Sequence, residues 1–290
     1  MSQYDNLMRL MGSIATRQVA MDVNSIGRLS DAEFGVFSQF GEDGIIQYLI
    51  RKCAILPSER RFVEFGVENF TEANTRFLLI NDNWSGFVMD ASQENISYIK
   101  NDEISWRHDL QSACCFVSPE SLNTLLKCAG FERNIGLFSI DIDGMDYWAW
   151  EALTDVSPVI VICEYNSIFG PKARITIPYQ ENFDRTRAHH SNLYFGSSLG
   201  ALVHIGSLKG YCFVGSNSAG NNAFFVRKDR VGDMPVLTSE EGYVESKFRE
   251  SRDEFGRLTY ARGKNRLSLI EHMPVYDIET KSVRLIREIV

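Results

Sequence analysis

Short apolar segments that lead to an acidic residue recur between residues 62 and 166. Four of them stand at 62–66 (FVEFG), 86–90 (GFVMD), 137–144 (LFSIDIDG) and 159–166 (VIVICEYN). Continuous apolar runs of this length are typical of strands that are buried on both faces of a parallel sheet. Because the carboxyl ends of such strands open onto the ligand crevice of an α/β fold, the acids predict a binding site at one edge of the sheet.

Helical periodicity fills the intervals between these strands. Apolar residues at helical spacing predict a helix over 44–52, ahead of the first strand, and another around Phe77, between the first two strands. Further helices are predicted to begin at Ser118–Pro119 and to cover the Trp-rich segment 147–153. Strands are predicted at residues 61–66, 86–90, 113–117, 136–141 and 158–164. Five alternations of strand and helix predict a doubly wound parallel sheet.

The segment after the fifth strand predicts a different ending for the sheet. Residues 167–192 are polar and irregular, and a helix is predicted over 197–209. Two strands at 211–215 and 223–227 then follow closely, joined by SNSAGNN, which has the composition of a hairpin turn. A parallel sheet that finishes in a terminal hairpin is typical of class I methyltransferases. The predicted fold class is therefore a doubly wound, mostly parallel, seven-stranded Rossmann-like α/β sheet.

Two flanking segments lack the strand and helix alternation. Residues 1–36 show helical apolar spacing with little strand signal, and we predict an N-terminal helical extension that serves packing or dimerisation, so a homo-oligomer is one predicted assembly. Residues 37–235 are predicted to form the methyltransferase-like α/β domain. Residues 236–290 are charged and weakly periodic, and they are predicted to be a C-terminal appendage to which the sequence assigns no function.

Composition narrows the class of protein. The 290 residues are 44% hydrophobic and 23% charged, which suffices for a full core. The formal net charge of -8, without a long basic block, argues against nucleic-acid binding. No apolar run approaches 18 residues and the first residues lack signal-peptide character, so we expect no membrane span and a cytoplasmic location. The six cysteines lack zinc-ligand spacing and are expected to be reduced thiols.

The first two strands predict half of a nucleoside site. Glu64 and Gly66 end the first strand, where a glycine would let the backbone approach a ligand. Asp90 ends the second strand, where a carboxylate can accept hydrogen bonds from both hydroxyl groups of a ribose. The alternative is that Glu64 and Asp90 only cap neighbouring helices.

The ends of the fourth and fifth strands predict the other half of the site, where the reaction would take place. Asp141, Asp143, Glu164 and Asn166 follow these neighbouring strands, and such oxygen ligands suit Mg²⁺ or another hard cation. In metal-free alternatives, one carboxylate acts as a general base towards an acceptor hydroxyl, or the acids hydrogen-bond a sugar. His190, next to His189, lies in the irregular segment and could act as a base, although an exposed pair of loop histidines is an equal alternative.

Six short motifs in this order resemble the FkbM-type methyltransferases over about residues 38–228. They are SQFGED at 38–43, FVEFG at 62–66, Asn74–Thr75, WSG at 84–86, Asp90, and DIDG at 141–144 with Glu164. The resemblance implies a class I fold, S-adenosylmethionine as cofactor, and O-methylation, often of a carbohydrate or polyketide hydroxyl. The predicted acceptor is a small molecule or glycan, namely a sugar in a surface glycan or a nucleotide-sugar precursor.

The resemblance also implies roles for individual residues. Glu64, Gly66 and Asp90 would hold the cofactor, while Gln39 and Asn74 would line or brace its pocket. With the strand-end acids, the predicted cofactor site comprises Gln39, Glu64, Gly66, Asn74, Asp90, Ser92 and Asp141. The predicted catalytic residues, which would remove the acceptor proton, are Asp141, Asp143 and His190.

One segment departs from the family pattern. The loop after the first strand is usually glycine-rich, yet it reads GVENFTE here, with Glu68 and Phe70 where small residues would admit the cofactor. This departure favours the alternative function, a noncatalytic glycan-binding or assembly module on a degenerate methyltransferase fold. A nicotinamide-dependent oxidoreductase is disfavoured because the Gly-x-Gly-x-x-Gly phosphate turn is missing.

Overall fold

The structure is a computed structural model that describes residues 3–116, 118–133 and 135–290. The helices are α1 Gln3–Asp22, α2 Glu42–Lys52, α3 Arg76–Asp82, α4 Gln93–Asn101, α5 Ile104–Arg107, α6 Leu122–Cys128, α7 Asp146–Ala152, α8 Arg185–Ala188, α9 Leu199–Leu208, α10 Ser239–Gly242 and α11 Lys264–Ile270. The strands are β1 Arg61–Phe65, β2 Ser85–Asp90, β3 Leu110–Cys114, β4 Leu137–Ile140, β5 Ile160–Glu164, β6 Ile175–Thr176, β7 Tyr211–Ser216, β8 Asn222–Arg227, β9 Pro274–Asp277 and β10 Ser282–Leu285. Among these residues, every helix is too short or too polar to span a bilayer.

Seven strands form one twisted sheet in the order β3-β2-β1-β4-β5-β8-β7. The pairs among β1 to β5 are parallel, whereas β8 runs antiparallel to both β5 and β7. The predicted mostly parallel, doubly wound sheet with a terminal hairpin is therefore confirmed. Glu64 pairs with Val88 of β2 and with Ser139 of β4, so the carboxyl ends of these three strands are level at one edge.

The prediction for β3 was wrong by three residues. The strand covers Leu110–Cys114 instead of 113–117, and Asp90 pairs with Cys114; Val117 lies outside the described residues. Since β3 is an edge strand with only half-buried or exposed residues, it has no continuous apolar run to mark its position. The next helix correspondingly starts at Leu122, after Ser121, and not at Ser118–Pro119.

The helices cover the sheet from both faces. Alternate residues of β1 enter different cores, because successive side chains of a strand point to opposite faces. Phe62 packs into a core with α1 to α5, while Val63 and Phe65 pack into a second core with α6, α7 and α9. The sheet is therefore buried on both sides and leaves its carboxyl edge for a site.

Residues 236–290 pack against the polar segment that follows β5. Strand β9 pairs antiparallel with both β10 and β6, which forms a three-stranded second sheet. The Tyr165 hydroxyl donates to the carbonyl of Val244 at 2.7 Å, and the Tyr243 hydroxyl donates to that of Ser167 at 2.8 Å. These contacts hold the chain around residue 244 beside the carboxyl end of β5.

The SQFGED motif at residues 38–43 fixes the loop that leads into α2. The Asp43 carboxylate accepts hydrogen bonds from the backbone amides of Val36, Phe37 and Ser38 at 2.7–3.0 Å. The neighbouring Glu42 is fully buried and accepts from the side-chain amides that flank the hairpin turn, those of Asn217 and Asn222. The motif thus positions Gln39 and Phe40 and joins this loop to the β7–β8 turn.

Candidate functional site

A cleft of about 1330 Å³ opens at the carboxyl ends of β1, β2, β4 and β5. Its outer walls come from the segment 179–187, the turn 218–222 and the C-terminal segment 246–250. The structure brings most of the predicted site residues to this cleft, namely Gln39, Glu64, Gly66, Asn74, Asp90, Asp141, Asp143, Glu164 and Asn166. Ser92 and His190 are not among the residues that line it.

Glu64 braces the floor of the cleft. Its Oε1 accepts from the backbone amide of Asn74 at 2.9 Å, and its Oε2 accepts from the amide and hydroxyl of Thr75. Burial raises the pKa of this carboxyl to about 7, against the lowering effect of these hydrogen bonds. The Asn74 side-chain amide donates to Ser139 of β4 at 3.1 Å. Glu64 therefore fixes the start of α3 and the orientation of Asn74.

Gly66 is required for packing between the ends of β1 and β4. It adopts a φ of +70°, and a Cβ at this position would lie 1.5 Å from the carbonyl oxygen of Asp141. Gly66 also lines the cleft, so the predicted close approach of a ligand to its backbone stays a prediction beside this packing role. Any side chain here would push apart the two strand ends that form the cleft floor.

Substitution Gly66→Ala should destabilise the protein strongly. We expect a loss of about 3 kcal/mol, seen as a fall in Tm of about 6–12 °C, because backbone strain and a steric overlap add. Gly256→Ala is the matched control, since Gly256 has a φ of +78° but open space around its Cβ position. Equal losses in Tm for both variants in differential scanning calorimetry would contradict the packing explanation.

Asp90 is held rigidly at the tip of β2. Its Oδ2 accepts from the backbone amide of Glu68 at 2.9 Å, and its Oδ1 accepts from the amide of Ser92 at 2.8 Å and the side chain of Asn95 at 3.0 Å. Asp90 thus braces the residues at the start of α4 and also lines the cleft. The Ser92 hydroxyl accepts from the Asn95 amide at 3.3 Å, so the predicted cofactor residue Ser92 is a helix cap outside the cleft.

Phe70 does not obstruct the cleft. Its side chain is fully buried in the core beneath α3, and its carbonyl accepts a hydrogen bond from Arg76 at 2.6 Å. Glu68 does line the cleft, but its side chain is exposed. The glycine-poor loop therefore leaves the site open, and the feature that favoured a closed, noncatalytic module has a structural explanation.

Asp141 and Glu164 both line the cleft, where Asp143 and the buried Asp146 add further negative charge, and they are called the carboxyl pair below. Burial raises the pKa of both carboxyls well above their usual range, and for Glu164 the charge of Asp141 is the next cause. Oε2 of Glu164 is buried without a hydrogen-bond partner among the described residues. A proton, a hydroxyl donor or a cation in the cleft would relieve this arrangement.

Removal of one charge from this pair should stabilise the protein at high pH. The folded state keeps a proton on Asp141 at pH values where the unfolded chain has released it, so wild-type stability falls as pH rises through this window. Asp141→Asn removes this titration. We expect the Tm difference between variant and wild type to grow as the pH is raised from 5.5 to 8, reaching roughly a few degrees.

Asp155→Asn, a change at an exposed carboxylate, is the control and should leave the Tm unchanged at both pH values. A Tm difference for Asp141→Asn that stays constant with pH, measured by thermal unfolding, would contradict the raised pKa of Asp141.

Asp143 occupies a different environment from Asp141. Its side chain is 62% exposed and accepts from Nη1 of Arg185 at 2.8 Å. The Arg185 guanidinium lies 4.5 Å from the centroid of the Phe195 ring. The buried Asp146 accepts from the backbone amides of Ile142 and Gly144, both at 3.1 Å, and shapes the DIDG loop. Asp143 therefore lies on the outer side of the cleft.

The four residues predicted to bind Mg²⁺ are not arranged as ligands of a metal ion. The Asn166 side chain is committed to structure, because its amide donates to the carbonyls of Leu193 and Phe195 and its oxygen accepts from the Ile168 amide. Asp143 is paired with Arg185. Within the described ranges, no three acidic, His or Cys side chains are arranged to hold a metal ion.

His190 is not brought to the cleft. The centroid of its ring lies 4.2 Å from that of the His189 ring, and the centroids of the His189 and His272 rings are 5.6 Å apart. Nδ1 of His189 hydrogen-bonds the Ser191 hydroxyl at 2.7 Å. The histidines belong to the packing beside the C-terminal segment, so the structure does not support the predicted role of His190 as a base.

Several residues of the cleft wall could not be recognised from the sequence. Phe116 was assigned to β3, but because β3 ends at Cys114, Phe116 lies beyond the strand and lines the cleft with more than half of its surface exposed. Arg185 lies in the polar, irregular segment 167–192, which has no periodic pattern to mark it. Phe248 comes from the C-terminal appendage, and the centroid of its ring lies 6.2 Å from that of the Phe40 ring, in an edge-to-face arrangement. The position of these three residues on the cleft wall depends on tertiary contacts, which the sequence pattern does not show.

Comparisons with known proteins give distant structural matches only. No family model matches this chain, and no curated protein matches it significantly. TehB from Haemophilus influenzae is 9% identical over 58% of this chain and 57% of TehB, with a TM-score of 0.34. This chain thus spans less than two thirds of TehB.

Two further solved structures match at similar levels. A S-adenosylmethionine-dependent methyltransferase from Clostridium acetobutylicum ATCC 824 is 10% identical over 63% of this chain and 90% of that one, with a TM-score of 0.38. The N-terminal domain of EvdMO1, solved in the presence of SAH and D-fucose, is 12% identical over 61% and 80% of the two chains, with a TM-score of 0.37. The fold is assigned from the order and direction of the strands.

Proposed function

We propose that this chain is an S-adenosylmethionine-dependent methyltransferase. The observation that carries the proposal is the placement of acidic residues in one cleft: Asp90 is fixed at the tip of β2, and Asp141 and Glu164 lie at the ends of β4 and β5, on the other side of β1. The seven-stranded sheet with its antiparallel terminal hairpin supports the proposal, because ligands of open α/β sheets bind at the carboxyl ends of the strands, where this cleft lies.

The lining residues suit the charge of S-adenosylmethionine. The half of the cleft formed by the ends of β1, β2 and β3 contains Glu68, Glu72 and Asp90 but no Lys or Arg among its described lining residues. Carboxylates complement a sulfonium, an ammonium and a ribose diol, whereas a dinucleotide would bring a pyrophosphate that needs donors or positive charge. Asp90, Gln39 and Asn74 would hold the nucleoside and methionine parts, with Phe116 beside the base.

Asp141 and Glu164 would receive the acceptor proton. When bound, the cofactor would supply an electrophilic methyl group to an acceptor oxygen. In its ionised form, either carboxylate would be a stronger base than an exposed carboxylate because its pKa is raised, and Oε2 of Glu164 has no hydrogen-bond partner among the described residues. Asp143 and Arg185 would orient the acceptor from the outer side of the cleft.

The proposed acceptor is a hydroxyl group of a carbohydrate, in a surface glycan or a nucleotide sugar. The outer walls offer side-chain amides and aromatic rings, a combination that suits sugar hydroxyls and sugar faces. These residues are Tyr179, Gln180, Asn182, Phe183, Asn192, Asn221 and Phe248. The resemblance to FkbM-type methyltransferases supports the same choice.

Methyl transfer can be tested directly. The purified chain is incubated with S-adenosylmethionine carrying a ¹³C-methyl group and with a panel of nucleotide sugars and oligosaccharides, and mass spectrometry and NMR detect a methyl ether. We expect a labelled O-methyl product together with S-adenosylhomocysteine. Label on nitrogen would overturn the O-methyl assignment. Glycan binding without any cofactor binding would support the noncatalytic alternative.

A further inference from the structure

The outer face of α1 is an apolar stripe that no described part of the chain covers. Five large apolar side chains on it are each more than half exposed: Leu7, Leu10, Met11, Ile14 and Met21. At about 100° per residue they fall within an arc of about 100° on the helix surface. Contiguous apolar surface of this kind on a soluble protein marks an interaction site.

The opposite face of α1 is packed on the domain. Thr16 and Val19 are buried, and a Cβ at Gly12 would lie 2.5 Å from the side chain of Val36 and 2.7 Å from that of Phe77. The helix is therefore anchored through one face, and its apolar stripe points directly away from the domain. A partner on the stripe would not meet the α/β sheet of the same copy.

The stripe has the spacing of a coiled-coil seam. Leu7, Ile14 and Met21 repeat every seven residues, and Met11 and Gln18 alternate with them at the second seam position. Arg17 and Asp22 flank the seam on its two sides, and both side chains are exposed. Asp22 lies five positions after Arg17, which is the offset between facing flank positions in a parallel two-stranded coiled coil. Arg17 of each copy would therefore face Asp22 of the other.

We propose that two copies of this chain associate through α1 as a parallel helix pair about a two-fold axis along the stripe. The stripe is self-complementary in shape and charge, as a two-fold interface requires. A helix of 20 residues supplies fewer contacts than the roughly 20–30 residues per side of a standard interface. The dimer is therefore of moderate affinity, with a Kd of roughly micromolar order.

Sedimentation velocity of the full chain at rising concentration tests this dimer. We expect a monomer–dimer equilibrium whose Kd rises at least about tenfold when Leu7 and Ile14 are both replaced by Glu. Leu208→Glu is the control, because Leu208 is also an exposed leucine on a helix, α9, but lies outside the stripe. Circular dichroism checks that all variants keep their helices. A chain that stays monomeric at about 100 µM would overturn the proposal.

A charge exchange tests the parallel register. Arg17→Glu should raise the Kd about three- to tenfold, because the new acidic side chain of each copy would face Asp22 of the other copy. The double variant Arg17→Glu/Asp22→Arg should restore the wild-type Kd. Failure of the double variant to restore association would overturn the parallel pairing. A monomer that instead binds phosphatidylglycerol vesicles, and loses this binding on Leu7→Glu, would assign the stripe to a membrane surface.

Discussion

Asp90→Asn should weaken S-adenosylhomocysteine binding by about a hundredfold, because the variant loses charge-assisted hydrogen bonds to the ribose, which are worth about 1.5–3 kcal/mol each. Asn keeps the shape of Asp and one of its acceptor oxygens. The helix cap made by Asp90 to Ser92 should therefore survive, and the Tm should change little. Isothermal titration calorimetry of variant and wild type measures the ratio of Kd values.

Asp253→Asn controls for the loss of a loop-bracing carboxylate. Asp253 accepts from the backbone amides of Phe255 and Arg257, both at 2.9 Å, in the C-terminal segment and away from the cleft lining. This variant should bind S-adenosylhomocysteine like the wild type. Unchanged affinity in Asp90→Asn would remove Asp90 from the cofactor site.

The second large effect is expected on turnover. Glu164→Gln should lower kcat for methyl transfer by about 10²–10⁴, because an amide cannot accept the hydroxyl proton that the carboxylate pair is placed to receive. The Kd for S-adenosylhomocysteine should change less than about threefold, since Glu164 lies at the end of β5 and away from Asp90. Steady-state kinetics and calorimetry on the same preparation separate the two effects.

Asp143→Asn is the matched control for charge loss in the same cleft. Asp143 is exposed and paired with Arg185, so we expect its loss to affect mainly the KM for the acceptor, with kcat lowered less than about tenfold. Equal losses of kcat in the two variants would show that the base is not specifically the buried pair.

The central sheet could be predicted because its strands carry a strong local signal. β1, β2, β4 and β5 are buried on both faces and are almost continuously apolar, and their acidic ends mark the carboxyl edge. The same criterion failed at β3, because an edge strand alternates buried and exposed positions weakly and lacks such a run. That error concealed Phe116, which lies just beyond the true end of β3.

Residue roles within the site were less predictable, because they depend on contacts between distant segments. The sequence shows Glu64 and Gly66 at the end of a strand, but only the tertiary structure shows that Glu64 braces Asn74 and that Gly66 makes room for Asp141. Asn166 illustrates the same point. Its side-chain amide donates hydrogen bonds to the carbonyls of Leu193 and Phe195, and the spacing of residues in the sequence does not predict these bonds.

The C-terminal segment shows why charged, weakly periodic sequence can still form part of a site. Residues 236–290 have no strong hydrophobic pattern, yet β9 pairs with β6 and Tyr165 anchors Val244, so Phe248 is placed on the cleft wall. The stabilising interactions come from residues far apart in sequence. A local pattern therefore carries no signal for this part of the cleft.

Isothermal titration calorimetry with S-adenosylhomocysteine, with NAD as control ligand and with and without Mg²⁺, shows whether the cleft binds a methyl-donor cofactor. We expect binding of S-adenosylhomocysteine with a Kd of roughly micromolar order, unaffected by Mg²⁺, and no binding of NAD. Absence of S-adenosylhomocysteine binding under both conditions, or binding of NAD in its place, would contradict the assignment of the cleft to a methyl-donor cofactor.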